Sequence, residues 1–549
     1  MSTLKDDLKR LGLSLSCIEV EARKEREVVT VFTGGSGLSE ALKGGLDSVF
    51  EVIIKHDLDS VLLKDAVWIE VRRILSNRLT FEIQQGWPGK GSVTRTMTWK
   101  PSHHVPMITS RHTVNFRHLS KGFCDHFHVG APYVAGAMAG GIASTPFVQS
   151  LSRVGILSFF GSGGLSVDAV DMALAQLSAE SGVWGCNLLH NPSEPSIEER
   201  TVDLFLEYGV SCISASAYMR LSKALVRYRI LGLSERSGRL HSAHTIFAKV
   251  SHPSVVKQFL SPPPEKLVQE FLRDGVITPE QATFARHIPM ADAITVEGDS
   301  GGHTDSRPLS VILPSVLQLR DQAMEQHQYK SNIWIGAAGG IATPMAIQGA
   351  LAMGAEYVLL GSVHQATVEA GTSDLVKEML SKMDVTDCAL GIAPDMFEIG
   401  AHVQVLKKGT MYAQRSQKLY ALYQRYDSIE SLPKSERDRL EKQFFQTSID
   451  AVWKETERYW QRDPSQLQRA ERDSKHKMAL LFRWYLGNSS RWAREGTADR
   501  KKDFQIWCGP SLGGFNQWVA GTPLQHWTER KVVTVVRTLL EGVQTGPLS

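Results

Sequence analysis

With 549 residues, 42% of them hydrophobic and 22% charged, the chain has an ordinary globular composition and is too long for one small domain; a barrel alone takes ~250 residues, so two or three domains are expected. A net charge of +3 gives no electrostatic case for nucleic acid, and no apolar run of ~18 residues reads as a membrane span. The six cysteines (Cys17, Cys124, Cys186, Cys212, Cys388 and Cys508) form no CxxC pair, and the start MSTLKDDLKR has no apolar core. That pattern excludes a disulfide framework and a zinc site, and it predicts a soluble, cytoplasmic protein in a reducing compartment.

The first part, residues 1–125, predicts a strand at Val28–Thr33, an amphipathic stretch carrying Val49, Val52, Ile53, Ile54, Leu62 and Leu63, and a second strand at Leu79–Ile83. The segment Gln85–Gly91 reads as a turn. Lys100 to His126, polar and rich in His, reads as a linker. No motif in this part carries chemistry.

The middle, residues 126–381, alternates short apolar runs with helical patterns. Strands are predicted at Tyr133–Met138, Ile156–Gly161, Val183–Leu189, Ser211–Ala217, Thr245–Val250, Ala293–Glu297, Ile333–Ala338 and Tyr357–Gly361. Several are apolar throughout, as strands buried on both faces are. Eight such units in ~250 residues predict an α/β fold of the (β/α)8 TIM-barrel type rather than a doubly wound sheet. One connection, residues 251–290, is long enough to be a helical insertion, with Lys266–Asp274 and Pro279–His287 as its helices; it is expected to wall the barrel entrance. The last part, residues 382–549, is charged and helical (Ser435–Gln446, Asp450–Gln461, Lys475–Leu486). It carries seven of the twelve Trp in its final hundred residues. It reads as a helical domain packed on the barrel.

Gly336-Ala-Ala-Gly-Gly-Ile-Ala-Thr-Pro344 follows the seventh strand and opens a helix. Gly339 and Gly340 let backbone approach a ligand, Thr343 suits the N-cap and Pro344 the first helical position. A helix start of this kind attracts phosphate. Gly361 and Ser362 end the eighth strand, and barrels frequently bind phosphate with the loops after strands seven and eight. Glu297-Gly-Asp-Ser-Gly-Gly-His-Thr-Asp305 follows the sixth strand. There Gly301 and Gly302 give an unusual backbone path that brings His303 over the barrel mouth, where an imidazole can donate or accept a proton near neutral pH. Asp299 and Asp305 are placed to orient it, and no spacing suggests a metal. Lys249, inside the fifth strand, needs an anionic partner, which an anionic flavin ring would supply. Asn187, in the third, can bond the edge of such a ring. The plainer readings are turn glycines, a solvated histidine and structural hydrogen bonds.

Pro132–Ser144, Asp299–His303, Gly336–Gly340 and Gly361-Ser362 resemble motifs of the nitronate monooxygenase (2-nitropropane dioxygenase) superfamily. More narrowly, Phe159–Leu165, Trp184–Glu194, Ser214–Arg229, Pro289–Pro308, Glu369–Asp374, Ala393–Tyr420, Arg483–Trp492 and Trp507–Trp518 are similar to the trans-acting enoyl reductases of polyunsaturated-fatty-acid synthases and trans-acyltransferase polyketide synthases. The likeness covers residues 125–540. It implies FMN, with Ala135, Gly136 and Met138 behind its ring, NADPH or NADH as hydride donor, and an enoyl thioester on an acyl carrier protein as substrate. A polyketide or fatty acid synthase complex is the implied partner, and a homodimer is compatible with it. Many superfamily members carry Glu-Ala-Gly-Gly-His where this chain has Asp299-Ser-Gly-Gly-His303. The rival functions are a nitronate monooxygenase and a non-catalytic synthase scaffold. Lys407, Lys408, Arg415 and Lys418 are expected to meet the acidic carrier protein.

Overall fold

The computed structural model describes residues 114–545, apart from 181, 193, 237, 238 and 303, together with six strands among the first 113 residues. The chain divides into two compact units, residues 1–113 and 114–549. The first holds one six-stranded sheet in chain order: β1 (Ile18–Arg23), β2 (Arg26–Val31), β3 (Ser60–Leu63), β4 (Val67–Leu75), β5 (Arg78–Gln85) and β6 (Ser92–Trp99). All its pairs are antiparallel except β2 with β3. The two strands expected here fall on β2 and β5. Of the amphipathic stretch, Leu62 and Leu63 fall on β3, a strand, whereas Val49, Val52, Ile53 and Ile54, like residues 100–113, lie outside the described residues.

The second unit is built on a closed barrel of eight parallel strands. They are β7 (Tyr133–Ala135), β8 (Leu157–Phe160), β9 (Gly185–Leu189), β10 (Cys212–Ser216), β13 (Thr245–Val250), β14 (Ala293–Glu297), β15 (Trp334–Ala338) and β16 (Tyr357–Leu360); a small hairpin, β11 (Leu233–Arg236) and β12 (Arg239–Ser242), intervenes between β10 and β13. Each barrel strand coincides with one expected from the apolar runs, trimmed by up to three residues at an end. Their side chains are almost all buried, because helices cover the outside and packed side chains fill the inside. Gly336 shows the fit at close range. A Cβ there would stand 2.2 Å from the Tyr357 ring; without one, Tyr357 reaches across β15 and its hydroxyl meets Thr295 Oγ1 of β14 at 2.6 Å.

The expected linker is partly structure. Lys121–Phe127 forms a helix that buries Phe123 and Cys124. Phe123 stacks on Tyr357 with centroids 4.7 Å apart and meets Trp334 and Phe247 edge-on. These are residues near the strand starts, so this helix plugs the N-terminal end of the barrel. In the sequence its apolar face, Phe123 and Cys124, is masked by the polar neighbours Lys121, Asp125 and His126.

The insertion also departs from expectation. Its three helices, Pro253–Leu260, Glu265–Arg273 and Pro279–Ala285, pack on the neighbouring outer helices Lys223–Leu231 and Leu309–His327. Buried Val268, Phe271, Ala282 and Ala285 hold them there. Fully buried Arg229 fastens the far end, forking onto Asp292 at 2.7 and 3.0 Å and donating to Pro289 O. No residue of these helices lines the cavity at the C-terminal ends of the strands.

The last part is not purely helical. A hairpin, β17 (Cys388–Ile392) with β18 (His402–Leu406), stands between the barrel and the helices. Beyond it run Tyr412–Arg425, Lys434–Arg439 continuing into a π-helical turn at Leu440–Phe445, Ile449–Trp460, Pro464–Arg472, Ser474–Glu495, Ser511–Trp518 and Val532–Thr545. Most of its Trp, Tyr and Phe residues pack in one core shared with the barrel. No helix among the described residues is long and apolar enough to cross a membrane.

Candidate active site

At the C-terminal ends of the strands the barrel opens into a cavity of about 920 Å³. Its floor is made by loops after β7, β9, β14, β15 and β16, and its outer wall by the C-terminal helices. Of the residues expected at a site, Gly136, Met138, Asn187, Lys249, Gly301, Gly302, Gly339, Gly340, Gly361 and Ser362 all line it. Ala135 does not; it lies one residue lower, fully buried within β7. His303 lies outside the described residues. Its flanks, Gly302 and Thr304, are described, and Gly302 lines the cavity.

The loop after β15 is shaped as a cradle. Gly339 and Gly340 have φ of 86° and 72°, where a side chain is strained. The two glycines serve different ends. A Cβ on Gly339 would press on Asp299 O and Gly298 C at 2.9 Å, whereas one on Gly340 would meet nothing within 4 Å. Gly339 lets two loops touch; Gly340 leaves bare backbone facing the cavity. Thr343 caps the helix Pro344–Ala352, its hydroxyl accepting from Ala346 N at 3.3 Å, as the sequence predicts. Gly361 is equally open, and Ser362 Oγ accepts from Gly509 N at 3.0 Å. Open glycine backbone beside a capped helix start, with a hydroxyl nearby, fits a phosphate-bearing group.

The polar floor is more tightly wired than the sequence suggests. Lys249 Nζ pairs with Glu297 Oε1 at 3.0 Å, and Ser300 Oγ donates to the same oxygen at 2.6 Å. The partner that Lys249 requires is therefore a carboxylate of the next strand, so the lysine needs no anionic ring to satisfy it. Asn187 donates to Ser214 O at 2.9 Å and Ser216 Oγ at 3.1 Å, which fixes its amide against β10. Asp299 accepts from Gln404 Nε2 at 2.5 Å and Asp305 from Ser251 Oγ at 2.8 Å. Asp299 thus ties the loop before His303 to the β17–β18 hairpin. Gly301 has a related cause: a Cβ there would stand 2.9 Å from the Cys508 backbone.

The outer wall holds none of the candidate site residues read from the sequence. Glu455, Tyr459, Trp460, Trp484, Arg491 and Arg494 line the cavity from the helices Ile449–Trp460 and Ser474–Glu495. Glu455 accepts from Trp484 Nε1 at 3.0 Å, which joins the two helices beside the cavity. The expected basic docking residues are committed elsewhere. Lys408 pairs with Asp387 at 3.2 Å, Lys418 with Glu436 at 2.6 Å, and Arg415 with buried Asp503; of the four, Lys407 is exposed without such a pair among the described residues. No group of three or more metal-ligating side chains occurs among the described residues.

Comparison with known proteins matches this architecture. Residues 123–395 match the nitronate monooxygenase family model, and residues 426–504 match the inserted helical domain of [acyl-carrier-protein] S-malonyltransferase. The chain is 40% identical to the polyketide biosynthesis protein PksE of Bacillus subtilis, over 89% of this chain and 66% of that protein. It is 43% identical to one of the polyunsaturated fatty acid synthase subunits of Thraustochytrium sp., over 77% of this chain but 29% of that one. The chain therefore spans less than two thirds of the length of these relatives. Among solved structures, the enoyl reductase domain of MlnA from the macrolactin cluster of Bacillus amyloliquefaciens is 39% identical with a TM-score of 0.74, over 77% of this chain and 96% of that domain.

Proposed function

Because the chain belongs to the nitronate monooxygenase family, in the branch that holds the enoyl reductase domains of polyketide and polyunsaturated-fatty-acid synthases, we propose that it is a flavin-dependent enoyl reductase. It would act with FMN and with NADPH or NADH on the 2,3-double bond of an enoyl thioester borne by an acyl carrier protein of such a synthase. The observation that carries this reading is the likeness along nearly the whole MlnA domain, barrel and helical wall together. The bare backbone of Gly340 and Gly361, with Ser362, would hold the FMN phosphate. Gly136 and Met138 would back the ring, and Asn187 and Lys249 would meet its polar edge. When bound, the flavin supplies hydride chemistry.

The chain's own residues supply the rest. The helices carrying Tyr459, Trp460 and Trp484 screen the mouth from water, which strengthens every electrostatic contact inside. The Lys249–Glu297 pair fixes an ammonium at the floor. Reduction of a conjugated thioester also needs a proton at Cα, and His303 is the residue we assign to deliver it. Its replacement by Ala should leave FMN bound and reducible by NADPH while enoyl turnover falls by ~10²–10⁴-fold; unchanged turnover would remove His303 from the mechanism.

The decisive experiment is spectroscopic. A visible flavin spectrum in the purified protein separates an enzyme from a scaffold. Anaerobic bleaching by NADPH, followed by reoxidation with an enoyl thioester, supports the reductase. Reoxidation by a nitronate and oxygen, with no response to the thioester, would instead make the protein a nitronate monooxygenase.

A further inference from the structure

On the helix Ser474–Glu495, Trp484, Asn488, Arg491 and Arg494 follow at three- and four-residue steps, and all four line the cavity. One face of one helix therefore looks onto it. Two of the five Lys and Arg side chains that line the cavity hold a carboxylate closely, Lys249 with Glu297 at 3.0 Å and Arg483 with Glu398 at 3.4 Å. Arg494 differs. It lies flat on the loop after β7, so close that a Cβ on Gly140 would stand 2.5 Å from Nη1 and 2.9 Å from Cζ. Gly140, at φ 67°, makes the room. Nη1 donates to Gly140 O at 2.6 Å, Nε is buried without a partner, and no carboxylate pairs with the group among the described residues. Burial lowers its pKa. Arg491, three residues before it, reaches Glu495 only at 4.0 Å.

A half-desolvated guanidinium with an unused donor is costly unless an anion completes it. The planar fork suits phosphate better than any other common biological anion group except carboxylate. The cradle we assign to the flavin phosphate belongs to the loops after β15 and β16, whereas Arg494 stands over the loop after β7. We propose that Arg494, assisted by Arg491, recognises a phosphate ester on a reactant that enters the cavity. The proposal deepens the reductase reading and rests on it, because that reaction brings two such groups: the phosphates of the dinucleotide and the phosphate of a 4′-phosphopantetheine arm.

The test reads binding, not turnover, so it survives failure of the reductase assay. The flavin-loaded protein is titrated calorimetrically with adenosine 2′,5′-bisphosphate and with an S-acyl 4′-phosphopantetheine, then with adenosine and the S-acyl pantetheine that lack phosphate. Arg494→Gln should weaken at least one phosphorylated probe about ten-fold, the worth of one charged hydrogen bond, and leave the phosphate-free probes unchanged. The probe that responds identifies the source. Arg494→Lys, which keeps charge but loses the fork, should fall between. Equal weakening with and without phosphate, or no weakening of either probe, overturns the proposal. So does loss of flavin, which would put Arg494 in the cofactor's own cradle. If Arg494→Gln does not fold, exposed Arg491→Gln supports the same comparison with a smaller ratio, and an unchanged ratio there counts against it.

Discussion

The two ends of the barrel are made by the same eight strands and are filled in opposite ways. At the N-terminal end, Phe123, Phe159, Phe247 and Tyr357 are fully buried and meet ring to ring. At the C-terminal end the chain puts glycines and an ion pair around open space. Apolar rings at one end give the barrel its stability, and bare backbone at the other leaves room for a ligand. Substitutions at the two ends should therefore fail in different assays.

The largest loss of stability is expected at the plugged end. Phe123→Ala removes a ring with no water contact and leaves a cavity among rigid neighbours, which costs about 3–5 kcal/mol. Denaturant unfolding should show it as a shifted midpoint, with the flavin site intact in the folded fraction. A loss below about 1 kcal/mol would mean that the helix Lys121–Phe127 is not the plug we describe.

A smaller effect separates the ends by pH. His364, just past β16, is fully buried, and burial pushes its pKa down to about 3; its Nε2 meets Tyr133 OH at 2.8 Å. The unfolded chain binds a proton there near the ordinary value of about 6.5, so stability is fully present above that pH and is lost as pH falls towards 3. At pH 5 the loss is about 2 kcal/mol. At the other end His126 is also lowered by burial but remains exposed, and it should add little. Comparing unfolding midpoints at pH 7 and pH 5 checks this: His364→Gln should flatten the slope and His126→Gln should not. An equal slope in wild type and His364→Gln would mean that another group carries it.

How much of this was legible in the sequence follows the same division. The eight strands read through because each is a short apolar run between helices, and the cradle because Gly339, Gly340, Thr343 and Pro344 form a local signal. The plug and the wall did not, because both are made by contacts distant in sequence. Phe123 meets Tyr357 across more than two hundred residues, and its own segment looks polar. Trp484, Asn488, Arg491 and Arg494 share a helix face that, taken alone, is an ordinary solvated one. Glu297 stands within the motif before His303, yet its role appears only when β13 and β14 are paired and Lys249 falls beside it. The insertion misled for a related reason: length says that a connection is a subdomain but not which neighbouring helices it covers.

The smallest effect on stability should accompany the most complete loss of ligand. At Gly340 the backbone is left-handed, and any side chain pays about 1–2 kcal/mol for it, but a Cβ there meets no protein atom within 4 Å. Gly340→Leu should therefore fold, unfold only slightly earlier than wild type, and purify without flavin colour, because the side chain occupies the space in front of the cradle. Gly339→Leu is the control at the neighbouring residue. Its Cβ would run into the backbone of Gly298 and Asp299, so it should cost stability as well as flavin. If Gly340→Leu retains full flavin, the phosphate is held elsewhere around the cavity, and the loop after β7 under Arg494 becomes the first place to look.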